Sequence, residues 1–325
     1  MIDFSEIPVD PNLYTVAFYN TENLFDIYDD EKTHDNDFLP TADKRWTKKR
    51  YKQKLRKLGY AITNIGRRET GKPPALIGLA EVENAVVLQD LIDSKHLAES
   101  HYNFVHYDSK DERGIDVALL YDTTLFKVDS SEIFSLELYN DAGLPDYTRD
   151  ILLVSGELDG FNVHVIVNHW SSRREGEKET EHKRIAGSDK VGEIISSLRL
   201  QDKDAKIIVI GDFNDDPTSK SIERLVTGYG LFNAFETLRA YNRGTTKHNR
   251  QWNLFDQILV TANFLEKSAN TIQFESSNIF DEEFLKRFEG KYKGAPFRTY
   301  VGKKYKGGYS DHFPVYITLK KHYTA

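Results

Sequence analysis

The stretch Lys206-Ile-Ile-Val-Ile-Gly-Asp-Phe-Asn-Asp-Asp-Pro217 constrains this chain more than any other. Four consecutive β-branched residues, Ile207 to Ile210, predict a strand covered on both faces. Gly211 offers a sharp change of direction. In near-extended backbone beyond it, Asp212 and Asn214 would point the same way. A carboxylate beside a carboxamide can orient a water and hold a phosphate oxygen. Asp, Asn and Pro are also ordinary turn residues, so a solvated turn is the alternative for this stretch alone.

The same pattern, a strand that delivers polar residues at its edge, recurs along the chain. Leu13 to Tyr19 predicts a strand ending at Asn20 and Glu22. Ala75 to Ala80 predicts a short one that delivers Glu81 and then Glu83. Val163 to Val167 leads into Asn168-His169-Trp170, with Arg173 and Arg174 just beyond. Asp256 opens the apolar run Gln257 to Val260, and Asp311-His312 stand before a last strand ending at Leu319. A carboxylate at the exit of a buried strand must be paired, hydrogen-bonded or bound to a cation. Glu81 therefore calls for a partner, whereas loop solvation accounts for Glu83. Between Tyr102–Tyr107 and Gly114–Tyr121, also read as strands, Arg113 can offer its planar fork to an anion.

Further strands are predicted at Ile133–Leu138 and Ile151–Leu158. Helices are predicted at Lys48–Arg67, at Glu181–Leu200, after an Asn84 cap, and after an Asp216 cap with Pro217 in the first turn. Phe280–Phe288 reads as a helix candidate. Basic residues of the first helix read as a solvated face. Lys291–Lys306 is basic with interleaved tyrosines, a pattern shared by polyanion-binding segments and ordinary surface loops. Each half of the chain reads as a sheet covered by helices on one side, and two such halves packed sheet against sheet give four layers.

Composition removes whole mechanisms. With no cysteine among 325 residues, disulfides, thiolate zinc sites and thiol nucleophiles are excluded. A net charge of −7 argues against a broad basic surface for duplex nucleic acid, though not against a local one. No apolar run approaches the ~18 residues of a membrane span. The acidic start, Met1 to Pro11, has no signal pattern. This leaves the compartment open: cytoplasmic, or exported with a signal already removed.

Oxygen-rich ligands from carboxylates and amides suit Mg²⁺, Mn²⁺ or Ca²⁺. Histidines beside such a site suit phosphate-ester hydrolysis. The ordered set Asn20, Glu81, Asn168-His169, Gly211-Asp-Phe-Asn214 and Ser310-Asp-His312 resembles the endonuclease/exonuclease/phosphatase superfamily, which includes DNase I-like nucleases. Phe18-Tyr-Asn-Thr-Glu-Asn-Leu-Phe25 and Arg113-Gly-Ile-Asp-Val-Ala-Leu-Leu120 are most similar to its bacterial, nuclease-like branch.

The resemblance implies one catalytic domain over 1–325, an α/β fold of four layers (α/β/β/α) with two mixed sheets face to face, and a monomer. It implies a metal-dependent phosphodiesterase acting on a phosphate ester, with DNA and RNA as candidate substrates. A phosphomonoesterase or lipid or inositol phosphate head-group hydrolase is the alternative, and an inactive binding module a further one. By resemblance, Glu81, Asn20 and Asp311 hold the metal. Asp212 handles the attacking water, Asn214 a phosphate oxygen, and His312, oriented by Asp256, the scissile phosphate or a proton. His169 is a second phosphate-binding or acid-base group, with Glu112 a loose match for its orienting carboxylate. Arg113, Asn168, Arg173 and Arg174 are candidate substrate contacts.

Overall fold

Ile207 to Ile210 lie at the centre of the fold and are fully buried. Their side chains alternate between two environments, as a period-two strand requires. Ile207 and Val209 pack into a helix-side cluster with Ile166, Val191, Ile195 and Leu259. Ile208 and Ile210 join the main core with Phe18, Leu79 and Val165. The strand is thus covered on both faces, and each such side chain contributes roughly 1.5–3 kcal/mol through burial.

The computed structural model describes residues 10–322 apart from positions 141, 239, 241, 249 and 250. The first nine residues of the acidic start lie outside the described residues. Sheet one contains β1 (Leu13–Leu24), β2 (Leu76–Val82), β3 (Tyr102–His106), β4 (Asp116–Asp122), β13 (Thr271–Ile279) and β16 (Val315–His322), in the order β13-β16-β1-β2-β4-β3. Sheet two contains β5 (Phe126–Phe134), β6 (Ile151–Leu158), β7 (Phe161–His169), β8 (Ile207–Asp212), β9 (Leu231–Asn233) and β12 (Asp256–Thr261), in the order β5-β6-β7-β8-β12-β9. Both are mixed, because β1 and β2 run parallel and so do β7 and β8. Two hairpins, β10 (Thr246–His248) with β11 (Gln251–Asn253), and β14 (Tyr300–Val301) with β15 (Lys304–Tyr305), stand apart from the sheets.

The sheets face each other closely. A Cβ on Gly78 of β2 would meet Ile210 Cδ1 of β8 at 2.6 Å. Outside sheet one, helix α1 (Lys48–Ile62) buries Tyr51, Leu55, Leu58 and Ile62, with the short α2 (Arg67–Thr70) following. Helix α3 (Ala85–Ile92) starts where expected, with the Asn84 side chain accepting from Val87 N at 3.0 Å. Outside sheet two lies α4 (Glu181–Gln201), with α5 (Lys220–Glu223) beside it. The result is the four-layer α/β sandwich. Among the described residues, no helix is long and apolar enough to cross a membrane.

Several expected elements differ. The strand anticipated at Ile133–Leu138 is instead Phe126–Phe134, an edge strand whose Lys127, Asp129 and Glu132 hide the apolar alternation. Asp216 caps no helix: its carboxylate accepts Leu254 N at 2.9 Å, and α5 begins only after Ser219. Phe280–Phe288 holds only a short 3₁₀ turn, Glu283–Leu285. Glu83 is not solvated. It is buried and accepts Asp26 N at 2.6 Å.

Candidate active site

Register alone gathers one row of side chains in sheet two. His169 ends β7, Asp212 ends β8 and Asp256 opens β12, and the ladder pairs His169 with Asp212 and Asp212 with Asp256. In sheet one, Asn20 of β1 pairs with Ala80 of β2, which places Glu81 beside it. β16 runs antiparallel to β1, so its approach brings Asp311 and His312 to the same rim. Glu81, Arg113, His169, Asp212, Asn214, Asp311 and His312 line one cleft of about 690 Å³.

Two backbone devices aim these groups. Glu81 sits in a register slip of β2 with φ 61°, a left-handed conformation that costs non-glycine residues roughly 1–3 kcal/mol. Its Oε2 accepts Asn23 N at 2.9 Å, which holds the kinked side chain in place. Asn214, at φ 51°, turns back so that its N–H reaches Asp212 Oδ1 at 3.0 Å. Asp212 and Asn214 therefore share the cleft through a side-chain turn, not through extended alternation. Gly211 remains within β8. Its role is close approach, since a Cβ there would meet Asn168 O of β7 at 2.4 Å.

His312 lies between carboxylates. Its Nδ1 is 2.7 Å from Asp256 Oδ2, and its Nε2 is 3.9 Å from Asp212 Oδ2. Burial alone would lower its pKa, but Asp256 and Asp212 outweigh burial and hold it well above the usual range. Burial, with the Asp256 charge, pushes Asp212 up to about 7 against the opposing pull of His312. His169 has the opposite setting. Burial, then Arg149 and Arg113, hold it well below the usual histidine range. Its Nε2 faces Glu81 Oε1 at 3.9 Å and Asp212 Oδ2 at 3.8 Å.

Residues 15–321 match the endonuclease/exonuclease/phosphatase family. The chain belongs to that family. Among proteins of curated function, none matches the sequence. Solved structures share the fold: a family member from Bacteroides thetaiotaomicron is 18% identical, with TM-score 0.60 over 95% of this chain and 98% of that one. A mannosyl-6-phosphatase from the same organism is 18% identical, with TM-score 0.58 over 94% and 99%. A humanized TDP2 from D. rerio is 15% identical, with TM-score 0.57 over 95% and 100%.

The family's divalent metal can be tested against the residues present. Glu81 and Asp311 offer hard oxygens in the cleft, which fit such an ion. Asn20 turns its amide nitrogen toward the carboxylates. Its Oδ1 accepts Glu22 N at 2.9 Å, and its Nδ2 donates to Asp212 Oδ2 at 3.0 Å and Glu81 Oε1 at 3.4 Å. Asn20 thus bridges the carboxylates of Asp212 and Glu81 through its amide nitrogen. Asp212, Asp256 and His312 also cluster closely, with His312 Nδ1 2.7 Å from Asp256 Oδ2.

Other expected contacts change. Asn168 never reaches the cleft: it is fully buried, donates to Ile166 O and Ile210 O, and accepts from Trp170 Nε1. Arg173 lines the cleft, but its guanidinium is spent on Asn214 O at 2.7 Å and Asp215 Oδ1 at 2.6 Å, so it positions the Asn214 turn. Glu112 is exposed and does not orient His169, whose Nδ1 has no hydrogen-bond partner among the described residues. Arg174 is exposed on the cleft lining.

A cluster behind Asp311 was absent from the sequence-derived site. Arg298 donates to Asp311 Oδ2 at 2.6 Å and stands 3.5 Å from Glu22 Oε1. Glu22 is pushed up to about 7 by burial and Asp311, while Lys54 is lowered to about 8 by burial. Lys54 is buried, donating to Thr299 Oγ1 and Tyr309 O at 2.6 Å, so the first helix is not wholly a solvated basic face. Its position gave a signal. Lys54 lies three residues after Tyr51 and four before Leu58, on the apolar stripe. Arg149 was likewise missed. It opens onto β6, donates to His169 O and Trp170 O, and pairs with Asp111 at 3.1 Å.

Proposed function

We propose that this protein is a divalent-metal-dependent phosphoesterase that cleaves phosphodiesters, nucleic acid among them. One observation carries the reading: Glu81 and Asp311 open into the same cleft as the His169–Asp212–His312 row. Glu81 and Asp311 would hold Mg²⁺ or Mn²⁺ (Ca²⁺ suits the same oxygens), which when bound supplies positive charge against the phosphate. Asp212, raised to about 7, accepts a proton from the attacking water near neutral pH. His312, kept charged by Asp256, donates from Nε2 to a phosphate oxygen or the leaving group. His169, neutral, orients the water or a phosphate oxygen through Nε2. Asn214 contacts a phosphate oxygen, and Arg113 and Arg174 meet the charge of the flanking ester.

The far wall of the cleft, with Lys247, Arg287, Tyr292 and Arg298, supports a substrate that extends beyond one phosphate. A phosphomonoesterase or head-group hydrolase is the second reading, supported by the net charge of −7 and by the mannosyl-6-phosphatase among the fold's neighbours. The test is a panel of bis(p-nitrophenyl) phosphate, p-nitrophenyl phosphate, DNA and RNA oligonucleotides, sugar phosphates and inositol phosphates, assayed with Mg²⁺ and Mn²⁺. Diester turnover above monoester turnover is expected. The reverse order selects the second reading. No turnover of any ester, with bound metal shown by calorimetry, overturns both.

A further inference from the structure

Away from the catalytic row, the loop between β3 and β4 closes over another set of ligating side chains. His106 ends β3, Asp116 opens β4, and Asp108 lies between them. The His106 side chain is only 3% exposed and that of Asp116 only 7%. His106 Nε2 stands 3.6 Å from Asp116 Oδ2, and His106 Nδ1 stands 3.9 Å from Asp108 Oδ1. Both separations are too long for hydrogen bonds, and because one imidazole gives an ion a single nitrogen, only the Nε2 spacing to Asp116 describes a shared ligand pair. Buried Nε2 has no hydrogen-bond partner among the described residues. The other oxygen of Asp116 is committed, accepting Ser109 N at 3.1 Å, which leaves Oδ2 turned toward the imidazole. One ligand atom from each of the three residues lies within 4.8 Å of the other two.

A buried ring nitrogen facing a buried carboxylate oxygen, without a bond between them, is a costly arrangement. A shared cation resolves it. With metal–ligand bonds of about 2.1 Å, two ligand atoms on one ion sit roughly 3.4–3.6 Å apart at angles of 110–120°. The His106–Asp116 separation of 3.6 Å matches that spacing.

We propose that His106, Asp108 and Asp116 form a second divalent-metal site, distinct from the cleft, for an ion of the zinc or manganese class. An imidazole ligand disfavours Ca²⁺, which takes oxygen ligands, and suits the borderline metals. The Asp108 side chain is 84% exposed, so the third ligand approaches from solvent and water completes the shell. The site sits at the base of the loop that carries Arg113 to the cleft. The same loop supplies Asp111, the partner of Arg149, which in turn donates to the carbonyl of His169. An ion here would therefore stiffen one wall of the cleft without touching substrate.

The test uses zinc as the probe and the full chain. Zinc is titrated calorimetrically into the Glu81→Gln protein, which weakens the cleft's own claim on metal, and into the same protein carrying His106→Gln. The second substitution is expected to remove one zinc equivalent or weaken it by ~10–100-fold. In wild type, the ¹⁵N resonance of His106 Nε2 is expected to shift as zinc is added. Unchanged zinc binding in a folded His106→Gln variant overturns the proposal. So does a His106 resonance that stays in place at saturating zinc, a readout that needs no variant to fold. Neither result depends on whether the cleft hydrolyses anything.

Discussion

The two histidine flanks of the cleft differ in charge although they share a rim. His312 is enclosed by Asp256, Asp212 and Asp311, and these carboxylates keep its ring protonated. Burial, then the charges of Arg149, Arg113, His312 and Arg174, holds His169 well below the usual range, although Glu81 and Asp212 face its Nε2. Burial opposes the charged form on both sides, so the neighbouring charges decide the outcome. One residue type is thereby divided into a cationic group and a neutral one a few ångströms apart, with Asp212 3.9 Å from the first and 3.8 Å from the second. That division suits a site that must meet negative phosphate and also handle a proton.

The largest effect should come from deleting the cationic side. His312→Ala is expected to lower phosphoester turnover by at least ~10²-fold while leaving the fold intact, the scale of lost acid-base or electrostatic help. Asp256→Asn keeps the ring but not its charge partner and should cost less. Equal rates in wild type and His312→Ala would remove the role given to that flank. On the neutral side, Arg149→Met strips buried Asp111 Oδ2 of its guanidinium and leaves only Arg113, whose Nε stands 3.4 Å from Oδ1. Urea denaturation should report a loss of up to roughly 3–5 kcal/mol, and only part of it should return when Asp111→Asn is added, because the carbonyls of His169 and Trp170 also lose their donor. A loss under ~1 kcal/mol would mean that the pair is not a closed one.

A ¹⁵N titration of the metal-free protein reads the comparison directly. His312, raised in the folded chain, contributes stability fully present below about pH 6.5 and lost as pH rises through its folded pKa. His169, lowered, acts in the opposite sense, removing stability as pH falls below about 6.5. At pH 7 the spectrum should show one imidazolium and one neutral ring at these two positions. Two neutral rings would erase the distinction.

The smallest effect on turnover is expected at Glu83, which burial, then the charges of Asp26, Asp35 and Asp30, raise to about 8 against the Asp26 N–H. Between about 4.5 and about 8 the unfolded chain ionises while the folded one stays protonated, so stability falls as pH rises through that window. Glu83→Gln should melt like wild type near the acid end and higher above the window. Coincident melting at both ends would show that Glu83 ionises as readily folded as unfolded.

The sheets were legible in the sequence because β-branched runs such as Ile207–Ile210 and Val163–Val167 have few other uses. Strand-end polarity pointed to Glu81, His169, Asp212, Asp256, Asp311 and His312, and the ladder explains why such ends meet. Side-chain direction was not legible. Asn168 and His169 are neighbours, yet strand alternation turns one inward and the other to the cleft. Nothing local distinguishes the Asn20 oxygen from its nitrogen; the Glu22 N–H decides that orientation. Partners far apart in sequence, such as Lys54 with Thr299 or Arg149 with Asp111, depend on packing that periodicity does not encode.

The central claim is that residues from both sheets act together on a phosphoester. Hydrolysis of bis(p-nitrophenyl) phosphate with Mn²⁺ by wild type and by Asp212→Asn, each with metal binding measured in the same sample, tests it most directly. The account predicts turnover by wild type and a loss of at least ~10²-fold in the variant, with both proteins folded and metal bound. Equal turnover by the two proteins would contradict it.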